Sequence, residues 1–299
     1  MSISAAGAGE AQGAGEAVLW FRMRAHILLN GGSLQRSSET RPCPGRERRS
    51  RRWCCVLTAP ALVSVCLGAV RAETSWRDIE ARIQYGYYTE DASALRSLED
   101  TVAADESHDK LHGYYAALLA WRLAQLAAQR PSAAPGASAA QLAQRCVSEL
   151  DQALAVAADF AEGLALRAAC LATQAERTHA AHAARGLRRD VGRALRLAAR
   201  NPRVLFIDAM SDYQLAPELG GNKERALVKL RQAVAAFELE RAGTEQLPGW
   251  GAAEAYELLA RDLLDQGETL GARDALEHAL LLAPEFSQAR RLMAQIISG

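Results

Sequence analysis

From Glu73 to the end of the chain, apolar residues recur at spacings of three and four, and the runs are separated by short polar or breaker segments. That period is the signature of amphipathic helices. The breaks carry the expected punctuation: Tyr88-Thr89-Glu90-Asp91, Pro131 to Gly136, Asn201-Pro202, Gly220-Gly221-Asn222, Pro248-Gly249 and Ala283-Pro284. Between them the pattern predicts helices of roughly 9–22 residues. Runs rich in Val, Ile and Thr with period-two alternation, the strand signal, are essentially missing. An all-α chain follows, and the abundance of Ala and Leu agrees with it because these residues carry the smallest helix-propensity cost.

The clearest unit is residues 253–284. Tyr256, Leu259, Ala260 and Leu263 share one face of a first helix, Gly267 breaks it, a second helix presents Ala272, Leu276 and Ala279, and Pro284 ends it. Small residues at Ala260, Ala272 and Ala279 let two backbones approach, while Tyr256, Leu259 and Leu276 fill the remaining gap. On these residues the unit resembles the tetratricopeptide repeat, with Leu263 in place of the usual second aromatic and Ala260 in place of the usual glycine. Earlier segments repeat the scheme less cleanly. Cys146, Leu150 and Ala153 fit a second helix. Leu164, Ala168 and Leu171 fit the next first helix, and Ala226, Leu230 and Ala233 another second helix. Ala153, Leu197, Ala233 and Ala279 are read as equivalent positions, with loops at 178–184, 214–221 and 241–250 absorbing the excess over an ideal repeat. The resemblance implies a right-handed solenoid of four to five antiparallel helix pairs with a C-terminal capping helix, because a single hairpin cannot bury both its faces. The stretch from Asn201-Pro202-Arg203 through Gly220-Gly221-Asn222-Lys223 to Trp250-Gly251 also looks like a group of exported bacterial tetratricopeptide proteins. That likeness implies an envelope location and little about activity.

The first 72 residues read differently. Residues 46–72 place a basic stretch ending at Arg52 before an apolar run from Trp53 to Val70, followed by Val70-Arg71-Ala72. This is the order of a secretory signal peptide, and it predicts cleavage after Ala72 and a periplasmic or secreted domain, residues 73–299. The run is short for a membrane anchor and is interrupted by Pro60 and Gly68. Val63-Ser64-Val65 before Cys66 makes a poor lipobox, and Ser50-Arg51-Arg52 a poor twin-arginine signal. Residues 1–45, rich in Gly, Ala, Ser and Arg, are expected to be a disordered extension or a mis-assigned start.

Composition narrows function mainly by exclusion. The formal net charge is zero, which gives no global pull toward nucleic acid or an anionic membrane. Four of the six cysteines lie before residue 73. The remaining two, Cys146 and Cys170, belong to no CxxC and are read as small buried residues, with their pairing left open. No metalloprotease, nucleophile-elbow or nucleotide-binding motif is present in the sequence. Gly220-Gly221-Asn222-Lys223 has the wrong spacing for a phosphate loop and is read as a turn. His179 and His182 lack a third ligand, and Asp208 with Asp212 is read as a solvated acid pair. Neither a cofactor, a metal nor an enzymatic activity is expected.

What remains is binding. Helices that come first in each pair line the concave side of a solenoid. Their outward residues are expected to be Glu162 in one unit, Asp208, Asp212 and Tyr213 in the next, and Glu254, Glu257, Arg261 and Asp265 in the last. This describes an acidic groove for an envelope protein or peptide, and a protein-interaction scaffold is the first expectation. The alternative is a small-molecule-binding accessory subunit of a periplasmic transport system, with a pocket near Tyr114, Tyr115 and Trp121. Those aromatics, with Tyr85, Tyr87 and Tyr88, equally suit a packing cluster that caps the stack.

Overall fold

The computed structural model describes residues 75–105, 109–129, 137–175, 180–241 and 247–298, all within one compact unit, Ala69–Gly299. The leader assigned to residues 46–72, its cleavage site, the 1–45 extension and His179 lie outside the described residues. Among those described, no helix is long and apolar enough to cross a membrane.

Ten of the eleven α-helices among the described residues pair in chain order: α1 (Trp76–Tyr88) with α2 (Ala92–Ala103), α3 (Lys110–Gln129) with α4 (Ala139–Val156), α5 (Ala161–Ala175) with α6 (Ala180–Leu197), α7 (Pro202–Gln214) with α8 (Lys223–Arg241), and α9 (Ala252–Asp265) with α10 (Thr269–Leu282). The last helix, α11 (Ser287–Ser298), caps the stack against α10. The expected all-α solenoid of four to five hairpins and a cap is therefore the observed fold, with five hairpins among the described residues.

Local chemistry sets the boundaries. Asp91 caps α2 by accepting from the backbone N–H of Ser93 (3.0 Å) and Ala94 (2.9 Å). Ser138 and Gln141 form a reciprocal capping box on α4. Asn201 caps α7, and Pro202 at the first helical position surrenders no hydrogen bond there. Each capped start satisfies N–H groups that the helix itself leaves orphaned.

The second helices bury a narrow stripe. In α4 it is Ala143, Cys146, Leu150 and Ala153, in α8 Ala226, Leu230 and Ala233, and in α10 Ala272, Leu276 and Ala279. One register expectation is wrong. Leu197 is 46% exposed, and Ala194, one turn earlier, holds the position equivalent to Ala153 and Ala279. All three alanines end their helices alike, accepting from the C-cap N–H of Ala198, Ala157 and Ala283. Residues 180–184, expected in a loop, open α6 instead, because Ala183 and Ala184 pack into the core.

Cys146 of α4 and Cys170 of α5 form a disulfide, with Cα atoms 6.2 Å apart. The reading of two small buried residues is thus incomplete. Both are buried, and they also join the second hairpin to the third.

The Asn-Pro-Arg to Trp-Gly stretch has a structural role at each of its marked residues. Arg203 donates both Nη1 and Nη2 to Glu240 at 2.8 Å, tying α7 to α8. Gly221 lies so close to Leu215 that a Cβ there would meet its carbonyl oxygen at 1.7 Å. Asn222 accepts from the N–H of Arg225 at 2.6 Å at the start of α8. Gly251 has φ +114°, in the region that favours glycine, and a Cβ would meet the Phe237 ring at 2.8 Å. Trp250 beside it donates Nε1–H to the Tyr114 hydroxyl at 2.8 Å.

Candidate site: a cavity on the concave face

An α3 of this sequence must be interior. From Gly113 to Ala128 it carries one charge, Arg122, and a helix apolar on all sides needs protein on all sides. Gly113 admits that packing on one side, since a Cβ there would stand 3.0 Å from the Ala153 Cβ of α4. The other side of α3 faces the first helices of the remaining pairs. The solenoid closes around it, and its two ends meet through side chains.

That closure is a set of specific bonds. The Tyr88 hydroxyl of α1 donates to Glu254 of α9 at 2.8 Å, and Gln84 Nε2 donates to the same carboxylate at 3.4 Å. Gln288 of α11 donates to the Tyr87 hydroxyl at 3.5 Å, and Arg291 pairs with Glu90. Glu80 of α1 accepts from the Gly249 N–H at 2.9 Å and from the Tyr115 hydroxyl at 2.7 Å. Burial raises the Glu80 carboxyl above its ordinary value, against the pull of those bonds. Burial likewise pushes the Tyr87 hydroxyl up to about 12.

Inside the ring of first helices remains a cavity of about 360 Å³. Tyr87, Trp121, Phe206, Met210, Leu258 and Phe286 supply its apolar walls, and Arg122, Gln125, Glu254, Glu257, Arg261 and Gln288 its polar lining. Six helices contribute: α1, α3, α5, α7, α9 and α11. At its centre Arg122, 1% exposed, donates Nη1–H to Gln125 (3.0 Å) and Nη2–H to Gln84 (3.1 Å) and to Glu254. The guanidinium also stands 4.0 Å from the Tyr87 ring centroid, 4.6 Å from Trp121 and 4.9 Å from Trp250. Such rings attract a cation through their negative faces.

The acidic groove expected from the sequence is corrected by this geometry. Glu254 and Glu257 are only 5% and 6% exposed, and each is paired, Glu254 with Arg122 and Glu257 with Arg261. Burial raises the Glu257 carboxyl despite the Arg261 charge beside it. Asp212, also 6% exposed, is gripped by Arg225 and Lys229, and Lys229 holds Asp208 at 2.7 Å as well. Burial alone would lift Asp212, but those two cations outweigh it and hold the carboxyl below its ordinary range. The solvated acid pair of the sequence reading is therefore a structural clamp between α7 and α8. Tyr213 and Lys223 both donate to Asp265, and Glu162 accepts from the Asn201 side chain at 2.6 Å. Burial and the Asp265 charge raise the Tyr213 hydroxyl. Of the expected groove residues, Glu254, Glu257, Arg261 and Tyr213 line the cavity, whereas Glu162, Asp208, Asp212 and Asp265 do not.

Of the expected aromatic pocket, Trp121 lines the cavity, and Tyr114 and Tyr115 are fully buried behind it. Tyr115 stacks on Trp76 with centroids 5.2 Å apart. The sequence reading missed Arg122, Gln125, Phe206, Met210, Phe286 and Gln288. One signal was available: a lone arginine in an apolar helix must be buried and paired. Among the described residues no cluster of His, Cys, Asp and Glu could hold a metal ion, and His182 is exposed.

No protein-family model matches the chain. No curated protein matches it either. Among solved structures it is similar to the HusA haemophore from Porphyromonas gingivalis, at 21% identity over 65% of this chain and 96% of that one, with a TM-score of 0.51. It is also similar to a thermophilic TPR protein of Thermus thermophilus, at 15% identity over 75% of this chain and all of that one, with a TM-score of 0.50. At such identities the likeness concerns the fold, and with the hairpin geometry it makes this chain an all-α protein with a tetratricopeptide-like helical solenoid.

Proposed function

We propose that this is a non-catalytic binding protein of the bacterial cell envelope that holds a small ligand in its concave cavity. One observation carries the reading: the concave face holds a cavity of about 360 Å³, lined from six helices by aromatic and apolar side chains together with convergent polar groups, the kind of place where small ligands bind. The groove that a protein partner would need is occupied by the protein's own ion pairs. Export is supported by the Cys146–Cys170 disulfide, because such bonds persist in oxidising compartments. The similar HusA structure is that of a haemophore, so haem belongs among the ligands to look for.

Native mass spectrometry of the purified protein tests the reading. The expected result is a bound small molecule that is lost in Gln129→Trp, which puts a bulky ring at the exposed rim of the cavity. A chain that is always ligand-free, and that binds nothing from an envelope extract, would count against it. A second reading, a protein scaffold, draws support from the exposed Leu239 on α8 and Leu270 and Leu281 on α10. Crosslinking in intact cells separates the two: a stoichiometric protein partner favours the scaffold, and recovery of the chain alone favours the pocket.

A further inference from the structure

The charges of the cavity cancel within the protein. Its lining holds two arginines and two glutamates, and they stand as two pairs, Arg122 with Glu254 and Arg261 with Glu257. Both oxygens of Glu254 are occupied, Oε1 by Arg122 and Gln84 and Oε2 by the Tyr88 hydroxyl. The Arg122 guanidinium is flanked besides by the Tyr87, Trp121 and Trp250 rings. Arg291, in the depression beside the cavity, is paired as well, with Glu90. The polar groups that remain for a ligand are neutral. Gln125 uses its carbonyl oxygen on Arg122, which leaves its amide N–H groups. Gln129 and Gln214 line the exposed rim, and neither amide bonds to another described residue.

An ionised ligand entering such a site leaves its hydration shell and finds no unpaired countercharge. To gain one it must break an existing pair and strand the other partner. An uncharged ligand meets neither cost. We propose that the cavity selects an uncharged ring compound, whose amide, carbonyl or hydroxyl group bonds to Gln125 and Gln129 and whose ring packs against Trp121, Phe206, Met210 and Phe286. This rests on the pocket reading above and gives it a chemistry. The two ion pairs set specificity by exclusion: they hold the wall at zero net charge, so either sign of ligand charge is disfavoured. The aromatic side chains of the wall favour a ring.

Isothermal titration of the full chain at neutral pH with three naphthalenes of one shape provides the test: naphthalene-2-carboxamide as the uncharged compound, naphthalene-2-carboxylate as the anion and naphthalen-2-ylmethylammonium as the cation. The expected result is that the carboxamide binds about tenfold or more tightly than either ion, because only the ions meet an uncompensated desolvation cost. Gln129→Trp should abolish that binding. Gln125→Glu adds a carboxylate to a balanced wall, so it should raise the affinity for the cation about tenfold. The wild-type comparison needs no variant, so a variant that fails to fold does not decide the matter. Either ion binding as tightly as the carboxamide would overturn the uncharged class and leave the pocket standing. Cation affinity unmoved by a folded Gln125→Glu would overturn the charge-balance argument. If no naphthalene binds, the ligand seen by native mass spectrometry decides: an uncharged one supports the proposal, and a charged one, haem with its propionates included, overturns it while the pocket stands. Carboxamide binding that Gln129→Trp leaves unchanged would place the site elsewhere. No naphthalene binding and no ligand by mass spectrometry would remove both proposals.

Discussion

The first and second helices of the hairpins use the same residue types in opposite ways. In α10, Arg273 and Glu277 pair on the surface, each more than half exposed, while one Ala-Leu stripe faces inward. In α9 the charges of Glu254 and Glu257 face inward too, and nearly the whole helix is buried. Sequence periodicity reads both as amphipathic helices with a wet side. The difference is curvature: second helices sit on the outside of the solenoid, and first helices converge on α3. A charged residue on the inner face of a first helix, such as Arg122 or Glu254, is therefore a partner to another buried charge, and its removal should cost far more than its period suggests.

The comparison breaks most sharply at Glu254. Glu254→Lys sets a second cation against Arg122 and should destabilise the protein by about 3–5 kcal/mol in urea unfolding, as expected when a buried pair is broken. A loss below about 1 kcal/mol would mean that the concave face is wet. Next in size is the disulfide. Joining cysteines separated by 24 residues, it should contribute about 3 kcal/mol. Cys146→Ala with Cys170→Ala should lower the melting temperature, and a reducing agent should do the same to the wild type but leave the double variant unmoved.

A subtler contrast concerns pH. Burial raises the Glu257 carboxyl above its ordinary 4.5, so the folded chain keeps a proton that the unfolded chain has released. Stability from this group is therefore present below 4.5 and is lost as pH rises from 4.5 through the folded value. Asp212 and Asp265 are lowered instead, and their contribution is present above 3.8 and lost as pH falls through their folded values. Urea unfolding of Glu257→Gln between about pH 4 and 7 should show a shallower decline with rising pH than wild type. An identical slope would dissociate Glu257 from the pH dependence. The smallest effect belongs to the outer surface: Glu277→Ala should change stability by under about 0.5 kcal/mol.

Much of the fold was legible because it is local. Asp91, Ser138 and Asn201 announce helix starts, and Gly267 with φ +82° and Pro284 announce stops. The Ala272, Leu276, Ala279 stripe places α10 against α9. The first two hairpins were less legible because α3, buried on every side, has no polar face to give it a period. Leu197 was misplaced for a related reason: it shares the apolar character of Ala194 but lies one turn beyond the helix's buried stripe.

By itself, then, the sequence determined an all-α chain of helical hairpins and most of the breaks between them, since capping and the three-and-four spacing act within a few residues. Only the tertiary structure decided what the concave face is. Tyr88 meets Glu254 across 166 positions, and Tyr87 meets Gln288 across 201. Whether such pairs meet depends on the small rotation between neighbouring hairpins, summed over the whole stack. No local pattern encodes that sum, which turned an expected exposed acidic groove into a cavity whose acids are buried and paired.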